Sequence, residues 1–242
     1  MNEVQLATHQ HNFISGSMPI SVIIQRLVNH GCPNISNRLD AIHCNDIPFS
    51  RGGFGDVHQG TLLDGTKVAL KCLRLYVSET ESNRRALKYA ARELHTWSKC
   101  QHPNIMDLLG LVEFRGQIAM VSLWMENGSV DHLDVNNHAI DRCRICFGAA
   151  QGLAYLHKIG IVHGDIKGGN IMLSNNNDAQ LADFGNAVLA SSVLTFTESS
   201  AHSRLSTRWA APEQLLGEAT YSRQADIYSL GMTILVRPDT NG

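Results

Sequence analysis

The order of the periodic segments predicts an α+β fold in two parts, with strands first and helices later. Apolar residues alternate with polar ones around a turn at Asp64-Gly65, which indicates a pair of antiparallel strands. Helical periodicity follows in three later segments, at about residues 79–99, 141–159 and 222–236. At 242 residues, the chain has room for one domain, alone or with an appendage.

The first 43 residues differ in character from the rest. Residues 1–17 are polar, rich in His, Asn and Gln, and lack periodicity, so we predict a disordered tail. The next segment, 18–43, is expected to be a helical extension. Its helix is expected to end near Gly31, and its apolar residues share roughly one helical face: Val22, Ile23, Leu27 and Val28. The main domain is expected at 44–236, with a tail at 237–242.

Composition and charge argue against several classes of protein. The net charge is −2 and the isoelectric point is about 6.6, so no basic excess favours nucleic acid or anionic lipid as a partner. No stretch approaches about 18 apolar residues, and the N-terminus lacks the plan of a signal peptide. Cys143 and Cys146 form a C-x-x-C without a second Cys/His pair, so we interpret them as reduced helix residues rather than a metal or redox site. We therefore expect an intracellular, cytoplasmic protein without a membrane span.

The first candidate for chemistry is a glycine-rich segment, SRGGFGDV, at residues 50–57. Glycines let backbone N–H groups approach phosphate oxygens because no Cβ stands in the way. Glycine-rich hairpins are common, however, so this segment by itself leaves a plain β-turn equally open.

A lysine follows shortly downstream, at the end of VALK (residues 68–71). A lysine at the end of a strand is usually only solvated. The next helical segment supplies Glu93, an acid that can pair with Lys71. The pair gives the lysine a second interpretation, as a side chain held in place for a ligand.

The strongest pattern is VHGDIKGGNI at residues 162–171, followed by LADFG at residues 181–185. Asp165 stands five residues before Asn170, a spacing that places a base near an acceptor hydroxyl and an amide oxygen on Mg²⁺. Lys167 can lie on a transferring phosphate, and Asp183 can hold Mg²⁺ against the phosphates.

In this order, these segments resemble the eukaryotic protein kinase family, and the resemblance extends over about residues 44–236. It implies a two-lobed fold, in which the N-lobe (44–123) holds an antiparallel sheet and one helix, and the C-lobe (124–236) is mainly helical. It also implies that the protein binds ATP and Mg²⁺ and acts on a protein substrate.

The resemblance implies a role for each matching residue. Asp165 and Lys167 are expected to be catalytic, and Asn170 and Asp183 are expected to bind Mg²⁺. The residues expected to contact ATP or to orient those that do are Ser50, Gly52, Gly53, Phe54, Gly55, Val57, Ala69, Lys71, Glu93, Ser122, Leu123, Met125 and Met172. Among them, Ser122 would be a small gatekeeper residue at the start of the hinge.

The branch within the family follows from a few positions. Lys167 and Thr207 favour Ser or Thr over Tyr as the acceptor. The segments ENGS (126–129) and TRWAAPE (207–213) look like the tyrosine-kinase-like group of Ser/Thr kinases, so dual specificity stays open. Asp226 is expected to brace the catalytic-loop backbone from the family's helix F.

The sequence departs from the family pattern in its catalytic loop. Gly164 replaces the arginine that normally pairs with a phosphorylated residue of the activation loop. We therefore expect activity that does not depend on phosphorylation within residues 191–206.

A second departure lies after the helix F equivalent. The chain continues only as RPDTNG (237–242), so the helices that normally cover helix F are expected to be missing, and a partner is one way to cover it. This departure motivates an alternative function, a truncated or pseudokinase-like module that binds ATP or a partner without turnover. A small-molecule kinase is less favoured, because the A-P-E segment at 211–213 is a peptide-docking feature.

Overall fold

The computed structural model describes residues 13–14, 18–52, 55–72, 81–133, 141–189, 195–196, 206–217 and 221–235. These residues fall into two compact units. The first lies within Met1–Lys99, Leu108–Trp124 and Ser191–Ala201, and the second lies within Cys100–Asp107, Met125–Ala190 and His202–Gly242.

Strands dominate the first unit and helices the second. In chain order, the strands are β1 (Phe13–Ile14), β2 (Leu39–Asp40), β3 (Ser50–Gly52), β4 (Gly55–Leu62), β5 (Lys67–Cys72), β6 (Gly110–Phe114), β7 (Gln117–Leu123), β8 (Ile161–Val162), β9 (Ile171–Leu173), β10 (Ala179–Leu181), β11 (Val188–Leu189) and β12 (Thr195–Phe196). The helices are α1 (Ile20–Asn29), α2 (Glu81–Trp97), α3 (Arg142–Lys158), α4 (Pro212–Leu215) and α5 (Arg223–Leu235). The predicted α+β fold is confirmed.

The first unit is built on an antiparallel sheet with the order β2-β4-β5-β7-β6, in which β3 also pairs with β4. The β4–β5 hairpin turns at Gly65, whose φ of +85° suits a residue without a Cβ. The Thr66 N–H donates to the Asp64 carboxylate at 3.0 Å and closes the turn. The predicted turn and strand pair are confirmed. Separately, β1 pairs in parallel with β12.

The core of this unit lies against one face of the sheet. It is formed by buried side chains, which are Ile35, Cys44, Leu62, Val68, Leu70, Cys72, Val112, Phe114, Ala119 and Val121. Because successive residues of a strand point to opposite faces, burial of Val68, Leu70 and Cys72 puts Ala69 and Lys71 on the other face.

Helix α1 confirms the helix predicted before Gly31, but its buried face differs from the predicted one. Ile23 and Leu27 have no exposed surface and Ile24 is also buried, whereas Val22 is 38% exposed. The helix begins after Pro19, and positions 23, 24 and 27 follow the helical repeat of 3.6 residues more closely than 22, 23, 27 and 28.

In the second unit, α3 packs against β8, β10 and α5. Asp141 caps its N-terminus by accepting a hydrogen bond from the Arg144 N–H at 3.0 Å. Gly152 allows a close approach of the chain, since a Cβ there would lie 2.5 Å from the Asn104 carbonyl oxygen. Cys143 is exposed on this helix and Cys146 is partly buried.

Helix α5 buries its polar side and exposes apolar side chains. Ala225, Asp226 and Ser229 are buried, whereas Ile227 is 60% exposed and Leu235 is 76% exposed. Among the described residues, no helix combines the length and hydropathy that are required to cross a membrane.

Candidate active site

A buried ion pair joins the sheet of the first unit to α2. Lys71 Nζ lies 2.7 Å from Glu93 Oε1, and the Glu93 side chain is only 3% exposed. Glu93 stands among Ala90, Ala91 and Leu94, which have no exposed surface, so its carboxylate depends on the lysine for charge compensation. Removing one partner of such a pair costs about 3–5 kcal/mol, because the other charge stays buried. The predicted interaction of these two side chains is present.

The glycine-rich segment forms a hairpin. Ser50 lies opposite Val57, and Gly52 lies opposite Gly55, whose φ is +139°. Gly53 and Phe54, two of the expected ATP-contacting residues, lie outside the described residues.

Strand pairing brings four more expected ATP-contacting residues to one face of the sheet. Val57 lies opposite Lys71, and Ala69 lies opposite Ser122. Directly opposed residues in an antiparallel pair share a face, and so do alternate residues along one strand. Val57, Ala69, Lys71 and Ser122 therefore line the face away from the core. Ser122 is buried, and the next residue, Leu123, is 41% exposed at the end of β7.

One aromatic residue beside this face was missed by the sequence analysis. The Phe49 ring lies 4.9 Å from the Trp124 ring in an edge-to-face arrangement, and the Phe49 N–H donates to the Val57 carbonyl at 2.8 Å. The signal available in the sequence was an apolar residue directly before the glycine-rich segment. Phe49 is 73% exposed, so its contact with Trp124 lies at the surface of the unit rather than in the core.

In the second unit, Asp165 stands at the centre of a polar cluster. Its carboxylate lies 2.7 Å from Lys167 Nζ and accepts a hydrogen bond from the Asn170 amide at 3.0 Å. The same amide donates to the Asp165 carbonyl at 2.8 Å. Asp165 and Asn170 are each 6% exposed. The two expected catalytic residues and one expected Mg²⁺ ligand are thus brought together.

A hydroxyl that the sequence analysis did not single out completes this cluster. Ser206 Oγ donates to Asp165 Oδ1 at 2.8 Å and accepts from Lys167 Nζ at 3.0 Å. The next residue, Thr207, is exposed, and its expected influence on the choice of acceptor stays a prediction. The sequence offers no local signal that distinguishes these two adjacent hydroxyl residues.

The backbone of the loop that leads to Asp165 is held by a buried aspartate, Asp226, as the family resemblance implied. Asp226 accepts hydrogen bonds from the His163 N–H at 2.9 Å and the Gly164 N–H at 2.8 Å, and His157 Nε2 lies 2.9 Å from the same carboxylate. The side chain of Asp226 is 2% exposed. Hydrogen bonds to charged groups in such a setting contribute about 1.5–3 kcal/mol each.

The remaining expected site residues follow the same loop. Asp183 has a φ of +66°, a strained conformation for a residue with a Cβ, and its carboxylate accepts from the Gly185 N–H at 3.3 Å. Met172 lies on β9 opposite Gln180. Met125 accepts a hydrogen bond from the Gly128 N–H at 3.1 Å.

The donor set of this unit fits Mg²⁺. The Asn170 amide nitrogen is turned toward Asp165, which leaves its oxygen as the available ligand, and Asp183 supplies carboxylate oxygens. Within the part of the chain that the structure describes, no three His, Cys, Asp or Glu side chains cluster as a metal site. Mg²⁺ commonly takes one or two protein ligands and completes its shell with phosphate oxygens and water, so a sparse oxygen donor set is the appropriate one.

The comparison with known families agrees with this geometry. The protein kinase domain family matches residues 49–237. Among curated proteins, the chain is 37% identical over 195 residues to phytosulfokine receptor 1 of Arabidopsis thaliana, covering 76% of this chain and 18% of the relative.

Two further relatives extend the comparison. The leaf rust 10 disease-resistance locus receptor-like protein kinase-like 2.1 of Arabidopsis thaliana is 36% identical over 199 residues, covering 77% of this chain and 30% of the relative. A probable serine/threonine-protein kinase of Dictyostelium discoideum is 30% identical over 190 residues, covering 76% and 20%. The chain thus spans less than a third of the length of each of these relatives. It belongs to the eukaryotic protein kinase family and is of the tyrosine-kinase-like type.

Proposed function

We propose that this chain transfers the γ-phosphate of ATP to serine and threonine hydroxyls of protein substrates. The observation that carries the proposal is the Asp165 cluster, in which a buried carboxylate already accepts a hydrogen bond from a serine hydroxyl at 2.8 Å. A substrate hydroxyl requires the same acceptor when it becomes a nucleophile.

The acceptor hydroxyl oxygen forms a bond to the γ-phosphorus, and the bond from that phosphorus to the β,γ-bridging oxygen breaks, so that ADP leaves with the electron pair. The Asp165 carboxylate takes the hydroxyl proton. Lys167, whose Nζ lies 2.7 Å from Asp165, carries positive charge beside the site where the transferring phosphoryl group is negative.

Nucleotide binding is assigned chiefly to residues of the first unit. Lys71, oriented by Glu93, holds phosphate oxygens, and the glycine-rich hairpin covers them. The adenine ring is proposed to contact Val57 and Ala69, and Met172 is a further proposed contact. Supporting this assignment, Val57, Ala69 and Lys71 lie on one face of the sheet.

Asn170 and Asp183 would hold Mg²⁺, which supplies charge neutralisation for the phosphates when it is bound. The oxygen donors described above support this assignment. Specificity for Ser and Thr is supported by the positions of Lys167 and Ser206, and by the similarity to a probable serine/threonine-protein kinase of Dictyostelium discoideum.

Two measurements on the purified chain test the proposal, a thermal shift with Mg-ATP and a phosphotransfer assay with phosphoamino-acid analysis. We expect a thermal shift and phosphoserine or phosphothreonine products. Asp165→Asn should keep the shift but lower turnover by at least ~100-fold, since it removes the base. Asp107→Asn, which changes an exposed aspartate of the same unit, should leave both unchanged.

The alternative outcomes are distinct. A thermal shift without turnover in the wild-type chain would indicate an ATP-binding module that lacks transfer activity. Phosphotyrosine as the sole product would contradict the proposed acceptor. If the wild-type chain showed no thermal shift and no turnover, both ATP binding and phosphotransfer would be contradicted.

A further inference from the structure

The segment from Ile20 to Ser36, which we call the N-terminal brace, packs directly on the helix that carries Glu93. Its helical part, α1, contacts both α2 and β7. Ile23 and Leu27 have no exposed surface, and Cys32, just after the helix, is 1% exposed. Burial of this extent means that the brace is part of the hydrophobic core around α2 rather than a loose appendage.

Polar contacts attach the brace to the C-terminal half of α2. The Cys32 thiol donates to the Leu94 carbonyl, with a sulfur–oxygen distance of 3.7 Å, and Leu94 is the residue after Glu93. At the end of the helix, Lys99 Nζ donates to the His30 carbonyl at 2.7 Å. The brace therefore contacts α2 directly after Glu93 and again just past the C-terminal end of the helix.

The other end of the brace is attached to the edge of the sheet. The Ile35 N–H donates to the Leu111 carbonyl at 3.0 Å, and the Leu111 N–H donates to the Pro33 carbonyl at 2.7 Å. This approach requires the glycine that precedes Leu111, because a Cβ at Gly110 would lie 2.5 Å from the Pro33 carbonyl oxygen. Hydrogen bonds to β6 also cover an edge strand that would otherwise expose its backbone.

We infer that the N-terminal brace positions α2 against the sheet, so that Glu93 stays within reach of Lys71. The brace spans the same two elements as the ion pair: one end is fixed to the sheet that bears Lys71, and the other to the helix that bears Glu93. A displacement of α2 by about 1 Å would lengthen the 2.7 Å contact beyond hydrogen-bonding range. Residues of the brace are thus positioning residues for the proposed phosphotransfer, on which this inference rests.

The first test measures Mg-ATP affinity in a thermodynamic cycle. Leu27→Ala is expected to weaken Mg-ATP binding about tenfold, and Val22→Ala, on the exposed side of the same helix, less than twofold. In a Glu93→Gln background, Leu27→Ala should have no further effect, because the contact through which it acts is already lost. If the two effects multiply, or if Leu27→Ala lowers stability but not affinity, the brace is only structural and the inference is wrong.

A second readout does not require nucleotide binding. An amine paired with a carboxylate is held protonated and reacts slowly with acylating reagents, so the labelling rate of Lys71 reports the ion pair. With exposed Lys67 as the internal reference, Leu27→Ala and Glu93→Gln should each raise the relative labelling of Lys71 several-fold, and Val22→Ala should not. Failure to bind ATP together with this labelling pattern would contradict the proposed function and leave the positioning role intact.

A milder variant covers the case in which Leu27→Ala does not fold. Lys99→Met removes the contact with the His30 carbonyl at an exposed site and leaves the buried side chains in place. We expect a two- to threefold increase in Lys71 labelling. Labelling of Lys71 at the wild-type rate in Lys99→Met and in every folded Leu27 variant would overturn the inference.

Discussion

At residue 164 the backbone has a φ of +78°, and a Cβ added there would lie 2.7 Å from two carbons of the Tyr221 ring and 2.9 Å from the Asn186 carbonyl oxygen. The local structure therefore disfavours the family's arginine, or any other side chain, at this position. The space beside the backbone is taken by a neighbouring ring, so no side chain fits without displacement.

Gly164→Ala should destabilise the chain by more than the strain of its left-handed backbone conformation, because the added Cβ also overlaps neighbouring atoms. Gly217 offers a matched control, because its φ is +75° and nothing lies within 4 Å of a Cβ there. We expect Gly217→Ala to cost about 1–2 kcal/mol for the left-handed conformation, and Gly164→Ala roughly 1–3 kcal/mol more for the overlap. Urea denaturation of both variants measures the difference, and equal losses would contradict the steric argument.

The hydroxyl of Ser206 leads to a second prediction at this scale. Ser206→Ala removes one hydrogen-bond partner each from Asp165 and Lys167. A hydrogen bond to a charged group contributes about 1.5–3 kcal/mol, so we expect kcat/KM to fall by roughly 10- to 100-fold. Ser206→Thr should retain activity, and Thr207→Ala should stay near wild type. A Ser206→Ala variant with unchanged kcat/KM would show that the hydroxyl is dispensable.

The contact of Ser206 with Asp165 and Lys167 sets this residue apart from the other hydroxyl residues of the segment 191–206. Most of that segment lies outside the described residues, so the expectation that activity does not depend on its phosphorylation stays a prediction. Ser206 has a separate role and should be left intact when the other hydroxyls are replaced by alanine.

At the scale of elements, the C-terminal half of α2 is buried against its neighbours. Its buried positions include Leu94, Trp97 and the polar residues Glu93 and His95. Two of these buried side chains, Glu93 and His95, are ionisable, and burying them is costly unless they are paired or neutral. Glu93 is paired with Lys71, and His95 is kept neutral.

His95 makes the stability of this unit depend on pH. Burial lowers the pKa of His95 to about 4, and the nearby charges of Lys99 and His30 act in the same direction. The unfolded chain takes up this proton near pH 6.5, so between pH 6.5 and 4 it binds more protons than the folded chain, and stability falls as the pH falls. From this group alone we expect a loss of roughly 2 kcal/mol between pH 7.5 and 5.

Denaturation midpoints at the two pH values provide the measurement. In His95→Leu, most of the acid loss should disappear. His58→Gln serves as a control, since it replaces another buried histidine of the same unit, whose Nδ1 contacts the Asn45 carbonyl, and it should keep the acid loss. An unchanged pH dependence in His95→Leu would assign the effect to other groups.

At the scale of the whole molecule, local patterns were the reliable part of the sequence analysis. The hairpin at Asp64-Gly65, the helices near residues 79–99, 141–159 and 222–236, and the α+β class all follow from contacts between residues close in the chain. Periodicity and turn chemistry act over a few residues, so a single sequence contains the information that specifies them.

Part of the candidate site could be predicted because its residues are close together in the chain. Asp165, Lys167 and Asn170 lie within six residues of one another, so their spacing alone predicts that they meet. Ser206 and Phe49 were missed because the residues that they contact are determined by how distant segments fold back. In the case of Ser206, 41 residues separate it from Asp165.

The amino-acid sequence by itself determined the family, the order of the chemical groups and the elements that carry them. Only the tertiary structure decided that Tyr221 fills the space beside Gly164 and that the segment around Leu27 and Cys32 packs on α2. Each of these contacts joins residues far apart in the chain, and their formation depends on packing that no local pattern encodes.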